Sequence, residues 1–409
     1  MSTLLARNVR HAVSISGSGD LAAVFAASRA WVHGQDPYDQ RQLLREWYAA
    51  GGPKLIEPNP HHTPSVYPPS TFVVVAPVAA LTWTRARLIW AVLDVVMIIA
   101  IVLALPALSG VRWSDPRAVA LAAGVIMLGP LRNGAMGGQP AVAVCGLVVL
   151  AALAAQRGVD RTAGVLLAVA CALKPPLAVP FVLNYALRRR WRLVLTAGGV
   201  AAVITLVGII RLQAAGVAWL PELRDNLLAT TAPGAVNDPT AWNPKRFQLV
   251  NLHVLLHTVM DDRRVVSILV LALTGLAAVA FARWVWRRAA GDDRRRELAE
   301  LAFVASWTLL PLYHRWYDAG LLVLVLAWSV TALSTRVAAQ ARVAILLVMS
   351  FVISPALWLV RMLPPAPSPP YRYRLGIEQL VLPVQVWALV LLCVLMLHVL
   401  SHDGAETAR

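Results

Sequence analysis

Charge is scarce in this 409-residue chain. Only 14% of its residues are charged, against about 25% in an average globular chain. In contrast, 58% are hydrophobic and the mean hydropathy is +0.64. A soluble domain has too little polar surface to cover that much apolar side chain. A chain of apolar runs near 20 residues long can turn it toward lipid instead. Cysteine is nearly absent: Cys145, Cys171 and Cys393 all lie inside apolar runs, with no CxxC pair. This pattern encodes no disulfide framework. Carboxylates are few, 21 Asp+Glu against 37 Lys+Arg, giving a net charge of +16. The arginines sit in short clusters between apolar runs, as the positive-inside bias predicts, and this argues against a nucleic-acid partner. The chain also lacks a P-loop, a dinucleotide fingerprint and a GxSxG elbow, so nucleotide-driven chemistry is not encoded.

What is present is a polytopic all-α pattern. Residues 1–19 hold no apolar run long enough to cross a membrane and no signal-peptide core. Residues 20–65 read as a polar loop carrying a short helix, LAAVFAASRAWV from Leu21 to Val32, with Asp20 as a plausible N-cap. Apolar runs follow at 66–82, 88–108, 117–131, 140–155, 162–187, 191–211, 265–284, 297–313, 318–333, 341–360 and 378–400. Together they predict about ten or eleven membrane segments in a domain over 66–400. The tail at 401–409 is expected to be frayed and disordered. Of the 15 tryptophans, Trp83, Trp113, Trp191, Trp219, Trp284 and Trp286 stand at run ends, where indole rings anchor at the headgroups.

Lys174-Pro175-Pro176 interrupts the run at 162–187 and implies a kink or a re-entrant hairpin. The clusters Arg188–Arg192 and 283–296 are expected to be cytoplasmic, with Arg336, Arg342, Arg85 and Arg87 as weaker members of that side. The loops 212–262, 314–318 and 361–377 then fall outside, as does 20–65 if 66–82 crosses once. The parities do not agree: counted forward, the turn 156–161 falls outside, and counted back from Arg188 it falls inside. One early run must fail to cross, and 117–131, which ends at Gly129-Pro130, is the candidate.

Polar groups at membrane depth are costly, so each is a functional candidate. Asp20 reads equally as a helix cap or a catalytic carboxylate. Asp36 and Asp39 flank a Pro-Tyr turn and suit turn geometry. Lys174 precedes two prolines, which argues against a snorkelling helix end. Tyr313-His314-Arg315-Trp316-Tyr317-Asp318 packs six hydrogen-bonding or aromatic side chains between two apolar runs. Arg315 suits phosphate, because a guanidinium presents a fork of donors. His314 suits donation to phosphate or proton transfer. His253 and His257 stand at i, i+4 without the glutamate of an HExxH pattern, so no metal site is read there. The paired His61-His62 reads as solvated loop.

The order of these elements resembles glycosyltransferase family 87. The resemblance is carried by Asp20 in an early loop, GQDPYD (34–39), VYPPSTF (66–72), NGAMGGQPAV (133–142), ALKPPLAVPFVL (172–183) before an arginine cluster, and LLPLYHRWYDAGLL (309–322). It covers about 20–335. It implies a GT-C-like helical bundle that transfers a sugar from a polyprenyl-phosphate donor to an acceptor hydroxyl, on a lipid or glycan, at the outer face of the cell membrane. It implies Asp20 as the base, with Lys174, His314 and Arg315 at the donor phosphate. Asp36, Tyr38, Tyr67, Asn133, Gln139, Tyr317 and Asp318 are expected to line the site. Inversion of the anomeric centre follows from attack opposite the phosphate. No cofactor is evident, and the need for a divalent metal is left open. Family members usually begin with a membrane helix ahead of the early-loop aspartate, so the expectation is that the first helix is missing here. The alternatives are a lipid or small-molecule transporter or flippase, suggested by broken helices around Lys174, and a truncated non-catalytic homologue.

Overall fold

The structure is a computed structural model that describes residues 19–53, 64–287, 294–362, 368–374 and 376–402. The expectations for residues 1–18, His61-His62 and the tail after His402 lie outside the described residues. The fold is helical throughout. Two short helices come first, α1 (Gly19–Val32) and α2 (Gln40–Ala49), then α3 (Pro69–Ala79) and α4 (Trp83–Ser109). Next are α5 (Pro116–Met127), α6 (Gly129–Gly137), α7 (Pro140–Gln156), α8 (Asp160–Leu173), α9 (Pro175–Leu187) and α10 (Trp191–Ala214). A loop layer holds α11 (Trp219–Thr231) and α12 (Leu252–Leu256). The chain then continues through α13 (Arg263–Arg287), α14 (Arg294–Trp307), α15 (Val323–Ala332), α16 (Ala338–Met349), α17 (Pro355–Met362) and α18 (Val384–His402). A 3₁₀ turn, Trp316–Leu322, leads into α15.

Among the described residues, α4, α10, α13 and α18 are long and apolar enough to cross a membrane, and α5 with α6, bent by 45°, makes a fifth when the pair is counted as one broken span. The other apolar runs form helices of 10–17 residues. Ten or eleven runs were expected to span, and fewer have the length. Proline and glycine at the junctions cut runs that read as continuous. The lipid-facing sides are plain on the long helices, where Leu195, Val203, Leu271 and Leu276 are exposed.

Three local facts resolve the parity conflict. First, α3 spans 11 residues, about 17 Å at 1.5 Å per residue, against a hydrocarbon core of about 30 Å. Its Pro69 end lies against Gly208 of α10, and its far end is held by Arg29, which donates to Ala79 O and Leu81 O at 3.1 Å. It does not cross, and its two ends rest on helices of the same layer. Second, the run expected to be a half-helix or re-entrant, 117–131, holds the 12-residue α5 and a bend of 45° into α6. Third, α8 and α9 form a re-entrant hairpin with Lys174 at the apex. An Asp160–Arg190 ion pair ties the start of α8 to the residue before α10. At the same end, Arg188 meets Glu300 at 2.9 Å and Glu297 at 3.6 Å.

The orientation of α4 corrects one expectation. Its Trp83 end packs on Trp47 and Phe25, with ring centroids 4.5 and 5.3 Å away, and Trp83 N–H donates to Ala50 O at 2.9 Å. Its other end closes at Gly110 (φ +69°), where an added Cβ would lie 2.4 Å from Arg294. Arg85 and Arg87 therefore lie at the end opposite the basic cluster rather than beside it. The reason is that α3, which was counted as a crossing, turns back.

Candidate active site

The site lies at the apex of the hairpin, away from the basic end. Two X-Pro junctions build it. A residue before proline is pushed out of the α region, and both Lys174 (φ −151°, ψ 82°) and Gln139 (φ −75°, ψ 133°) lie outside it. Each polar side chain is thereby set at a break, with a proline at N1 to start the next helix. Gly138 (φ +67°) ends α6 and turns the chain toward Gln139. The first turn of α1 and the N-termini of α7 and α9 bring positive partial charge to this region. Ser70 and Thr71 hydroxyls donate to Ala172 O at 3.0 Å and seat α3 beneath the apex.

Asp318 is the buried hub. Its carboxylate pairs with Lys174 Nζ, lies 3.1 Å from His314 Nδ1 and accepts the Arg315 backbone N–H at 3.2 Å. Lys174 Nζ also stands 5.2 Å from the Tyr317 ring centroid. His314 is fully buried, and its Nε2 has no hydrogen-bond partner among the described residues. With Nδ1 held by the carboxylate, Nε2 is the position from which this ring can act on a ligand. Arg315 is anchored differently from a free phosphate hook. Its Nε donates to Tyr313 Oη at 2.7 Å, and its Nη2 donates to Val236 O and Asn237 Oδ1 at 3.2 and 3.4 Å. Nη1 makes no hydrogen bond among the described residues.

Asp20 lies within the first turn of α1 rather than at its cap. No hydrogen bond or ion pair holds its carboxylate among the described residues. Its Oδ2 is 3.0 Å from where a Cβ on Gly137 would stand, and Gln139 Cγ is 3.8 Å from that same point. Burial first, then the Asp20 charge, raises the Tyr67 phenol. Burial pushes the Tyr313 phenol up to about 12; Arg315 pulls it down, while Asp318 and Asp20 add to the rise. The structure thus brings Asp20, Tyr67, Gln139, Lys174, His314, Arg315, Tyr317 and Asp318 into one region.

Two expected residues stand apart. Asn133 is exposed on α6. Asp36 accepts the Tyr38 N–H at 2.8 Å in a tight turn and faces Glu222 of α11. Tyr38 serves as a prop, its hydroxyl donating to Tyr67 O at 3.0 Å. Asp39 caps α2 by accepting from Arg41 N–H at 2.8 Å. Gly137, Asn237 and Glu222 were not singled out in the sequence. Gly137 sits inside the quoted NGAMGGQ stretch, but nothing in the sequence says which glycine a carboxylate approaches.

These features define a multi-pass helical membrane protein with a polar, charged site at one end of its bundle. The model of glycosyltransferase family 87 matches residues 66–312, more than half of the chain, and the protein belongs to that family; it is a membrane glycosyltransferase. The match includes Tyr67, Gln139 and Lys174. It leaves Asp20 and the Tyr313–Asp318 hexapeptide outside its bounds. No curated protein matches the chain.

Proposed function

We propose that the enzyme transfers a sugar from a polyprenyl-phosphate donor to an acceptor hydroxyl on a lipid or glycan, at the outer face of the cell membrane, with inversion. The supporting observation is the opposition of two kinds of group in one region. Asp20 is a carboxylate with no partner among the described residues, and in the same region Lys174, His314 and Arg315 surround Asp318. In the reaction, Asp20 takes the acceptor proton as the acceptor oxygen attacks the anomeric carbon. The bond from that carbon to the phosphate oxygen breaks, and its electron pair leaves on polyprenyl phosphate. Lys174, His314 Nε2 and Arg315 Nη1 stabilise the growing phosphate charge. Asp318 positions the first two of these. The outer location follows from the positive-inside bias, since the site lies opposite the end that carries Arg188, Arg190 and Arg294.

The test is a cell-free assay with a panel of polyprenyl-phosphate sugars and membrane acceptors. Asp20→Asn is expected to lower transfer by about 10²–10⁴-fold, the usual contribution of a general base, while the protein still inserts. Full transfer by that variant refutes the assignment. Retention of the donor's anomeric configuration in the product refutes the single displacement.

A further inference from the structure

A cavity of about 280 Å³ lies beside the proposed reaction centre and takes no part in it. Asn237, Asn251, His253, His257, Arg263 and Tyr313 give it its character. Its volume is near the lower edge of the range of small-molecule sites, about 300–1,000 Å³, so it suits a unit the size of one monosaccharide. Tyr313 and Asn237 line it on one side and hydrogen-bond Arg315 on the other. The cavity and the reaction centre therefore share a wall.

The lining sets these polar groups beside the apolar Pro239, Pro311 and Leu312, and Arg263, the charged residue of the lining, is paired. Arg263 is bound to Asp238 at 2.7 Å and donates to Thr231 O at 3.1 Å. Asp238 is itself buried and accepts from Gly234 N–H, Thr240 N–H and Thr240 Oγ1. Burial lowers His253 to about 4, with His257 adding to the effect, and burial also lowers His257, so both rings are neutral near pH 7. His257 Nδ1 lies 3.0 Å from Met260 O, which puts the proton on Nδ1 and leaves Nε2 an acceptor. An anion calls for an uncompensated cation here, and an apolar tail would leave the amides, hydroxyls and imidazoles of the lining without hydrogen-bond partners. Amides, hydroxyls and neutral imidazoles that both donate and accept suit a neutral polyhydroxyl ligand.

We propose that this cavity is a second carbohydrate subsite, which holds a neutral sugar residue of the acceptor next to the residue that is glycosylated. The assignment rests on the acceptor-hydroxyl reading above. The donor's own sugar cannot serve as the occupant, because it must stay bonded to the phosphate on the far side of the Tyr313–Arg315 wall. The acceptor class is thereby narrowed to molecules that already bear a glycan.

The experiment is photoaffinity labelling of the protein in lipid nanodiscs, avoiding sugar-headed detergents, with a neutral methyl glycoside that carries a diazirine. Labelled peptides are mapped by mass spectrometry. Label is expected on peptides covering 237–257 and 311–313, suppressed by excess methyl α-mannoside and not by inorganic phosphate. Ser267 lines the same cavity, is exposed and, among the described residues, hydrogen-bonds only to its own helix. Ser267→Trp fills the space and is expected to lower this label about tenfold, on the scale of one or two net hydrogen bonds. Undiminished label in Ser267→Trp, suppression by phosphate, or label absent from these peptides overturns the subsite. Asp20→Asn separates the two readings. It keeps the label whether or not Asp20 is the base, so a variant that retains sugar transfer sinks the base alone, and label lost only in Ser267→Trp upholds the subsite.

Discussion

Gly137→Ala displaces Asp20 without replacing it. The new Cβ would stand 3.0 Å from Asp20 Oδ2, where ordinary carbon–oxygen contact needs about 3.4 Å or more. The carboxylate must move by a few tenths of an ångström. Misplacing a reacting group by 1 Å costs about 10²-fold, so this shift predicts a loss of about threefold to tenfold in kcat. Stability is expected to hold or rise, because Gly137 is helical and alanine favours helix over glycine by about 0.5–1 kcal/mol. A poorly folded enzyme therefore does not account for the loss. The assay is transfer kinetics with a saturating donor, paired with thermal unfolding in the same lipid. Gly19→Ala is the control: it is also next to Asp20, and its Cβ meets nothing within 4 Å. Unchanged kcat in Gly137→Ala, or an equal loss in Gly19→Ala, would refute the placement of Asp20 at the reacting hydroxyl.

Further outcomes test other parts of the molecule. Asp318→Asn keeps the shape but removes the charge that pairs with Lys174 and orients His314. Transfer is expected to fall by about 10²-fold or more while insertion persists, and near-normal kcat counts against the hub. Arg188→Leu leaves the fully buried Glu300 without its 2.9 Å partner at the base of the hairpin. Arg296, 3.3 Å from Glu300, remains as a partner, so the loss is expected to fall below the cost of about 3–5 kcal/mol for a buried charge left unpaired; thermal unfolding will read it as a lower midpoint, and an unchanged midpoint contradicts the clamp. The Glu222 carboxyl is raised to about 7, by burial first and then by Asp36, which shares its proton, and Asp39. An acid whose folded pKa is raised stabilises the fold fully below its ordinary value of 4.5, and that stability is lost as pH rises through 7. Hydrogen exchange at 36–39 and in α11 should therefore quicken between pH 6 and 8, on about the scale of that titration. Glu222→Gln should flatten the change, and a persistent pH dependence in that variant rules out Glu222 as its source.

Much of the site was legible because its residues break expensive rules. Lys174 before two prolines and the YHRWYD hexapeptide between apolar runs have no cheap reading inside a membrane protein, so they stood out. Asp36 and Asp39 passed for turn residues, and their bonds to Tyr38 N–H and Arg41 N–H agree. Asn133 adjoins the glycines of NGAMGG, and its helical position leaves it exposed. Gly137 and Asn237 were invisible, since their roles come from what packs against them.

Composition alone determined that the chain is a helical membrane protein. Solvent boundary is a property of side-chain hydropathy and run length, both linear in sequence. The X-Pro junctions likewise set Lys174 and Gln139 outside helical geometry, because that preference is local and steric. Which runs cross was decided only by tertiary structure. The turn-back of α3 and the return of α9 to Asp160 depend on contacts between segments about 30 to 140 residues apart, and at the bend between α5 and α6 Gly129 N–H donates to the distant Phe351 O at 3.1 Å. The same holds for the charge state of the site. Lys174, His314 and Arg315 look in sequence like three free cationic groups. The fold places Asp318 and Tyr313 among them, so that the first two are oriented by a carboxylate and the third is held by a phenol.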